Sequence, residues 1–219
     1  MTVKKAISAQ QARTFDDYTI NHLGIPSPVL MERAALAVTQ RLTTSINFEL
    51  TNVLIVAGSG NNGGDGIAVA RLLHLRHIPV TVWLIGNLDH ASEQLTQQYE
   101  IAKRYGIHVT QTKPDQLTTF TTVVDAVFGV GLSRPIAGQL AEAVQELNQT
   151  NLPILAIDIP SGIDADTGQP MGVAIQAIET ITMSYNKIGL TTKSGQLYAG
   201  RITIADIGIY DPETIERLG

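Results

Sequence analysis

Short apolar runs alternate with amphipathic stretches from Asn52 onward, and this alternation limits the possible folds more than any other feature of the chain. The apolar runs predict buried strands at 53–58, 80–86, 107–111, 122–129, 152–160, 180–185 and 201–209. The amphipathic stretches predict helices at 66–77, 92–106 and 139–149. Strands that alternate with helices of this length form a mostly parallel sheet with helices on both faces. We therefore expect an α/β fold, a Rossmann-like three-layer sandwich.

Two further helices are predicted ahead of this core. Ser8 and Gln11 have the spacing of a capping box, so the first helix is predicted to begin there and to stop at Gly24. Ser27 is predicted as the N-cap of the second helix, because proline follows it at the first helical position. The apolar face of this second helix comprises Leu30, Met31, Ala34, Val38 and Leu42.

The composition indicates a globular chain and excludes several functions. Hydrophobic residues make up 44% of the 219 residues, so a full core is available, and we expect one domain over 1–219 with N-terminal helices in 1–45 and the Rossmann-like core in 50–210. The net charge is −5 and the basic residues are scattered, which argues against a nucleic-acid partner or an anionic membrane surface. The lack of cysteine excludes disulfides and thiolate sites. No signal peptide or membrane-length apolar run is present, so we expect a cytoplasmic protein with no membrane partner.

A glycine-rich loop, GSGNNGGDG at 58–66, follows the first predicted strand. Its glycines match GxGxxG, which brings backbone N–H groups close to a phosphate but also occurs in simple tight turns. A conventional dehydrogenase has an acidic residue at the end of the second strand, where this chain has Gly86 and Asn87. The loop is also more polar than a pyrophosphate turn requires, since it contains Asn61, Asn62 and Asp65. A polar ligand is therefore expected here, and a plain hydride-transfer site is disfavoured.

Two other polar segments follow later strands. DAVFGVGLSRP (125–135) places Asp125 late in an apolar strand, where a carboxylate is costly unless it is paired or bound to a cation. DIPSGIDADTG (158–168) places Asp158 at the end of an apolar run and Ser161 on the turn that follows. Ligands of parallel sheets bind beyond the carboxyl ends of the strands, so these side chains are candidate site residues. The alternative for each aspartate is a structural role in a turn.

Together these segments resemble the NAD(P)H-hydrate epimerase family, also called the YjeF N-terminal domain family. The loop at 58–66 is similar to the family signature GPGNNGGDG, with Ser59 in place of proline. LMERAALAV (30–38) resembles the family's first helix, with Ala35 where glycine is usual. The segments at 125–135 and 158–168 resemble its second and third motifs, and SYNKIGL (184–190) and GRITIADIGI (200–209) resemble its closing strands. The resemblance covers nearly the whole chain, with the motifs in the family's order.

The resemblance implies a nucleotide-repair enzyme. Its substrates would be NADHX and NADPHX, the forms of NADH and NADPH that are hydrated at C6 of the nicotinamide ring, and it would interconvert their R and S epimers. The order of preference between the two substrates is left open, as is the route of inversion, which is either loss and return of water or opening and closure of the ring. The family further implies a homodimer and a separate NAD(P)HX dehydratase that consumes the S epimer. A non-catalytic scaffold built on the same domain is the alternative, which intact loop residues disfavour.

The family's functional residues carry over to specific positions of this chain. The catalytic positions are Asp158 and Lys187, although a surface lysine is the alternative for the latter. One K⁺ per subunit would be bound by Asn62, Asp125 and Ser161, whose oxygen atoms suit such a cation. The substrate contacts would be Asn61, Asn62, Gly63, Gly64, Asp65, Gly129, Val130, Gly131, Leu132, Ser133, Arg134, Pro135 and Asp158.

Overall fold

A computed structural model describes residues 5–216, which form a seven-stranded sheet with helices on both faces. Every strand pairing is parallel, and the strand order is β3-β2-β1-β4-β5-β6-β7. The strands are β1 (Val53–Ala57), β2 (Val80–Leu84), β3 (His108–Thr110), β4 (Thr122–Ala126), β5 (Ile154–Ile157), β6 (Glu179–Met183) and β7 (Arg201–Ala205). The predicted α/β three-layer fold is confirmed, and the sheet is parallel throughout rather than mostly so.

Eight α-helices accompany the sheet within the described part of the chain. They are α1 (Ala9–Asp17), α2 (Ser27–Thr44), α3 (Asn61–His74), α4 (Glu93–Arg104), α5 (Gln139–Gln149), α6 (Ile188–Thr191), α7 (Lys193–Ala199) and α8 (Pro212–Glu216). None of these helices is both long and apolar enough to cross a membrane.

The central strands β1 and β5 are apolar along their whole length because both faces of the sheet are covered. Ile55 of β1 and Val124 of β4 pack on the side of α2, α3 and α4. Leu54 and Val123, one residue earlier on the same strands, pack on the opposite side with α5. All five residues of β1 are fully buried. The central strands therefore belong to the core, and Asp125 of β4 is a buried charged exception.

The N-terminal helices are largely as predicted. The capping box is present, because Gln11 N donates to Ser8 Oγ at 3.1 Å and Ser8 N donates to Gln11 Oε1 at 3.0 Å. The helix continues through a π-helical turn at Tyr18–His22. The predicted apolar face of α2 is buried. The prediction that Ser27 caps α2 was wrong, because the extended conformation of an N-cap belongs to Pro26 and Ser27 is already helical.

Helix α3 begins five residues before the predicted start at 66 and ends three residues before 77. Glycine is unfavourable within a helix, so the run at 58–66 favoured a loop. The helix forms there because its glycines permit close packing against the sheet: a Cβ on Gly63 would lie 1.9 Å from the Gly58 carbonyl oxygen. Much of the predicted loop is consequently the first turns of a helix.

Most of the remaining differences occur at the carboxyl ends of strands. β2, β4, β5, β6 and β7 each end two to four residues before their predicted ends. The segment 184–190, which resembles a closing strand, instead contains a turn and the start of α6. Ser184 has a φ of 54°, which is incompatible with an extended strand. These residues are turns that carry the candidate site.

Candidate functional site

Four neighbouring strands, β1, β4, β5 and β6, end at the same edge of the sheet. The chain leaves β1 toward β2 on one side, whereas β4 lies on the other side, so a crevice opens between the loops after β1 and β4. The two loops remain in contact at their bases, where Gly58 N donates to the Ala126 carbonyl at 3.0 Å. The predicted motifs therefore meet where this fold places ligands.

A cavity of about 520 Å³ lies at this edge of the sheet. The turns after the strands form one side of the cavity, and α1 and α2 contribute another wall through Asp16, Leu30 and Met31, among others. Its volume falls in the usual range for small-molecule sites, which is roughly 300–1,000 Å³. The predicted site residues that line the cavity are Asn61, Asn62, Asp65, Gly129, Val130, Gly131, Asp158 and Lys187.

Asp158 and Lys187 form an ion pair in this cavity, with 2.6 Å between Lys187 Nζ and Asp158 Oδ1. The second carboxylate oxygen accepts from Val130 N at 3.2 Å, so Asp158 also contacts the loop after β4. Asp158 has a φ of 68°, an uncommon conformation for a residue other than glycine, and such strain is concentrated at functional sites. A Cβ on Gly129 would lie 2.8 Å from the Asp158 carboxylate, so only glycine permits this close approach.

Lys187 is not a surface residue, since only 2% of it is exposed. Its ammonium donates to Thr182 Oγ1 at 2.8 Å and to the Met183 carbonyl at 3.1 Å in addition to Asp158. The N-terminal segment holds the neighbouring backbone, because Ile7 N donates to the Asn186 carbonyl and Ile188 N donates to the Ile7 carbonyl. With all three protons of its ammonium directed to acceptors, Lys187 fixes the position of the Asp158 carboxylate.

Asp125 and Ser161 lie beneath the cavity, and both are almost completely buried. Ser161 donates to Asp125 twice, from Oγ at 2.6 Å and from the backbone N at 2.7 Å. Burial raises the pKa of Asp125 to about 6, although the hydrogen bonds from Ser161 oppose that rise. No basic side chain pairs with Asp125 within residues 5–216. A buried carboxylate without a counter-charge fits a site for a cation.

Asn62 completes the set of residues that fit a potassium ion. Its buried Nδ2 has no hydrogen-bond partner among the described residues, which is unusual for a buried amide. Its Oδ1 lies near Gly129, on the same side of the cavity as Asp158. An amide oxygen, a carboxylate and a hydroxyl are all hard oxygen donors, so the residues present are suitable ligands for K⁺.

Other predicted substrate residues do not line the cavity. Gly63 and Gly64 are buried in α3, where they pack against Gly58, Leu95 and Met31. Leu132, Ser133, Arg134 and Pro135 continue away from the cavity along the loop before α5, and all but Leu132 are exposed. A long dinucleotide would reach this loop only if it extended beyond the cavity.

Two carboxyl groups of the cavity have strongly shifted pKa values. Burial raises the pKa of Asp16 to about 6, and the nearby Asp158 raises it further while Lys187 lowers it. Burial, together with the negative charges of Asp158 and Asp16, also raises the pKa of Asp65 well above its ordinary value. Asp65 was predicted as a substrate contact, whereas Asp16 was not predicted at all. Asp16 belongs to no motif, and only the path of the chain over the sheet brings it here.

The parallel sheet, the crevice between β1 and β4, and the polar turns around the cavity define a Rossmann-like α/β protein with a ligand site at the carboxyl edge of its sheet. The family described as YjeF-related protein N-terminus matches residues 27–189. The chain therefore belongs to this family.

Individual relatives and one solved structure are similar over nearly the whole chain. It is 54% identical to an NAD(P)H-hydrate epimerase of Oenococcus oeni over 94% of this chain and 98% of that protein. It is 50% identical to an NAD(P)H-hydrate epimerase of Levilactobacillus brevis over 98% of this chain and 99% of that protein. The crystal structure of yeast ynu0 matches with a TM-score of 0.79 and 24% identity, covering 98% of this chain and 93% of that one. The yeast structure supports the fold.

Proposed function

We propose that this chain is an NAD(P)H-hydrate epimerase, which interconverts the R and S epimers of NADHX and NADPHX. The relatives from Oenococcus oeni and Levilactobacillus brevis carry that name and match over nearly their full lengths. The structural observation that carries the proposal is the Asp158–Lys187 ion pair, which lies in a cavity bordered by both glycine-rich segments. Such a cavity has the backbone N–H groups for phosphates and a carboxylate for proton transfer at the ring.

In inversion by loss and return of water, the hydroxyl leaves C6 from one face of the ring and water adds to the other. The lone pair of the ring nitrogen expels the hydroxyl, which leaves a positively charged iminium. The Asp158 carboxylate stabilises this cation and accepts a proton from the water that returns. Lys187 fixes the carboxylate through the 2.6 Å contact, while Val130 N holds its other oxygen. These two contacts hold the Asp158 carboxylate in one position in the cavity, where it would face the reacting carbon.

We further propose that Asn62, Asp125 and Ser161 hold a K⁺ ion. The support is chemical: three oxygen-bearing side chains, one of them a buried carboxylate without a basic partner in the described structure. When bound, the ion would supply positive charge beside the substrate phosphates and neutralise Asp125. Ser161 also accepts from Phe128 N at 2.8 Å, so the same residues hold the loop that approaches Asp158.

A homodimer and a separate dehydratase complete the proposal. An epimerase alone cannot restore NADH, because it only exchanges the two hydrated epimers. Another enzyme must remove water from the S epimer. We expect the subunits to pair through the N-terminal helices, where Val29 and Leu36 of α2 are 47% and 44% exposed. Sedimentation of the purified chain tests the dimer.

The decisive experiment is a coupled assay on a mixture of both epimers. An S-specific dehydratase and its nucleotide are added in buffer that contains K⁺, and NADH absorbance is followed with and without this protein. The dehydratase alone should stall when the S epimer is consumed, apart from slow spontaneous epimerisation. Prompt recovery to completion with this protein supports the proposal. A persistent stall with folded protein contradicts it and leaves the binding-scaffold alternative.

The same assay tests the role of Asp158. Asp158→Asn should reduce kcat by about 10²–10⁴-fold, the usual contribution of general acid–base catalysis, while nucleotide binding remains. Asp164→Asn is the matched control, since Asp164 lies in the same segment but its carboxylate caps the turn at Thr167. Wild-type turnover in Asp158→Asn would show that this carboxylate does not take part in the reaction.

A further inference from the structure

Asp16 directs an unpaired carboxylate toward the cavity. It lies on α1, lines the cavity and is half-buried. Within residues 5–216 its side chain has no hydrogen-bond or ion-pair partner. The adjacent Asp17 differs in every respect: it is exposed, does not line the cavity and accepts from Asn21 Nδ2 at 2.7 Å. A partly desolvated carboxylate without a partner has no evident structural role at this position.

The charges around Asp16 come from several elements. Asp65 belongs to α3, Asp158 follows β5, and Lys187 follows β6. On α1 itself, the Arg13 guanidinium donates to the Val130 carbonyl at 3.2 Å. The Tyr185 hydroxyl donates to Asp211 at 3.2 Å. Burial and the negative charge of Asp158 raise the pKa of Asp16 to about 6, despite the opposing charge of Lys187.

Asp65 is a further carboxyl group of this cavity. Its own pKa is raised well above the ordinary value by burial and by Asp158 and Asp16, so its neutral form is favoured. The Asp158 carboxylate is paired with the Lys187 ammonium at 2.6 Å and accepts from Val130 N. The cavity therefore contains one carboxylate held as an acceptor and another, on a separate element, that readily carries a proton.

In inversion by loss and return of water, the leaving hydroxyl and the entering water are on opposite faces of C6, so a separate proton-transferring group for each face suits the reaction better than one group for both. We propose that Asp16 is the second proton-transferring group of the epimerase and that it acts as the acid while Asp158 acts as the base. The assignment rests on the function proposed above. It adds a residue from α1, outside every sequence motif, to the reacting centre.

The proton transfers balance over one conversion. The carboxylic acid of Asp16 gives its proton to the C6 hydroxyl as the C–O bond breaks, and the electron pair of the ring nitrogen forms the N=C bond of the iminium. Water then adds to C6 from the other face, the nitrogen regains its electron pair, and the proton of the added water passes to Asp158. The two carboxyl groups have exchanged roles. Exchange with water in the cavity resets them, and the reverse conversion uses them in the opposite order.

The test compares Asp16→Asn with Asp17→Asn in the coupled assay over pH 5 to 9, with rates corrected for spontaneous epimerisation. For the wild type, kcat should fall as the pH rises through about 6, because the acid loses its proton there. Asp16→Asn should lower kcat by about 10²-fold or more, leave KM within about threefold and remove this pH dependence. Asp17→Asn should retain the wild-type rate and profile. Asp16→Glu, which restores an acid, should recover part of kcat and the pH dependence.

A second measurement does not require turnover. In the free protein the carboxyl carbon of Asp16, observed by NMR, should titrate near pH 6, and its midpoint should fall in Asp158→Asn, which removes a negative charge. An active wild type together with an Asp16→Asn variant that behaves like Asp17→Asn would overturn the assignment of Asp16 alone. A folded wild type that never epimerises would overturn the proposed function and the assignment with it. If Asp16→Asn unfolds, the profile of Asp16→Glu and the titration of the wild type decide the question.

Discussion

Replacing Lys187 by methionine removes the ammonium that pairs with Asp158 while it keeps most of the side-chain volume. The Lys187 side chain is 3% exposed and that of Asp158 is 13% exposed. Removing one partner of a fully buried ion pair costs about 3–5 kcal/mol. Because Asp158 faces the cavity, water can solvate part of its charge, so we expect a loss of about 2–3 kcal/mol in the free energy of unfolding. For a chain of this size that loss lowers Tm by roughly 5–10 °C.

A double-mutant cycle separates the ion pair from other effects of the substitution. Urea unfolding is measured for the wild type, Lys187→Met, Asp158→Asn and the double variant. Their coupling energy should be about 2 kcal/mol, since each single change leaves a partner without its counterpart. Lys113→Met is the matched control: Lys113 pairs with Glu146 at 2.8 Å, but the two side chains are 47% and 42% exposed. Loss of this exposed ion pair should change the free energy of unfolding by less than about 1 kcal/mol.

The outcome also bears on catalysis. Lys187→Met should reduce kcat strongly even at temperatures where the variant is folded, because the Asp158 carboxylate loses its 2.6 Å contact and its fixed position. A coupling energy below about 0.5 kcal/mol would refute the reasoning, since it would mean that the two side chains do not depend on each other. Full turnover in folded Lys187→Met would show that Lys187 is not needed for the reaction.

Three further predictions concern the buried carboxylate, the glycine contact and the N-terminal helix. Burial in the folded state raises the pKa of Asp125 to about 6, so in K⁺-free buffer the free energy of unfolding should fall by about 3 kcal/mol as the pH rises from about 4 to 6. Added K⁺ should then raise Tm more at pH 8, where Asp125 is ionised, than at pH 5. Equal responses to K⁺ and to tetramethylammonium would contradict the K⁺ site. Gly63→Ala should cost about 3 kcal/mol or more in urea unfolding, because its Cβ would lie 1.9 Å from the Gly58 carbonyl, whereas Gly60→Ala meets no atom within 4 Å and should be nearly neutral. Asp166→Ala removes the 2.7 Å hydrogen bond from Ala9 N and should speed amide hydrogen exchange in α1 while exchange in β1 is unchanged. Equal protection of α1 in the wild type and the variant would show that this bond does not hold the helix.

The sequence predicted the layers of the fold because these depend on local patterns. Apolar runs of strand length and helices between them are sufficient to indicate a parallel sheet, and the motif at 158–168 placed Asp158 correctly at the end of a strand. The ends of the elements were less accurate. Apolar residues such as Val127 and Ile159 continue the strand pattern, yet they belong to turns with local hydrogen bonds, from Val127 N to the Asp125 carboxylate and from Ile159 N to the Ile157 carbonyl.

The parts of the site that were not predicted depend on contacts between distant segments. The sequence allowed Lys187 to be either a catalytic or a surface residue, since nothing in the adjacent sequence shows that its side chain is buried against Asp158. Asp16 lies in a helix with ordinary polar residues, and its position in the cavity depends on how α1 crosses the sheet edge. The start of α3 was missed for a similar reason, because the contacts of Gly63 with Gly58 outweigh a poor helix propensity.

The N-terminal segment is bound to three separate loops of the site, and this arrangement explains how a short helix can contribute to a cavity built on the sheet. Ile7 exchanges backbone hydrogen bonds with the turn beside Lys187, Ala9 N donates to Asp166 in the segment after Asp158, and Arg13 donates to the Val130 carbonyl. Each bond involves a different strand end, so α1 cannot shift without disturbing the loops that position the Asp158–Lys187 pair. The sheet core has its own packing around β1 and does not depend on these bonds. Changes in the N-terminal segment should therefore reduce catalysis before they reduce global stability.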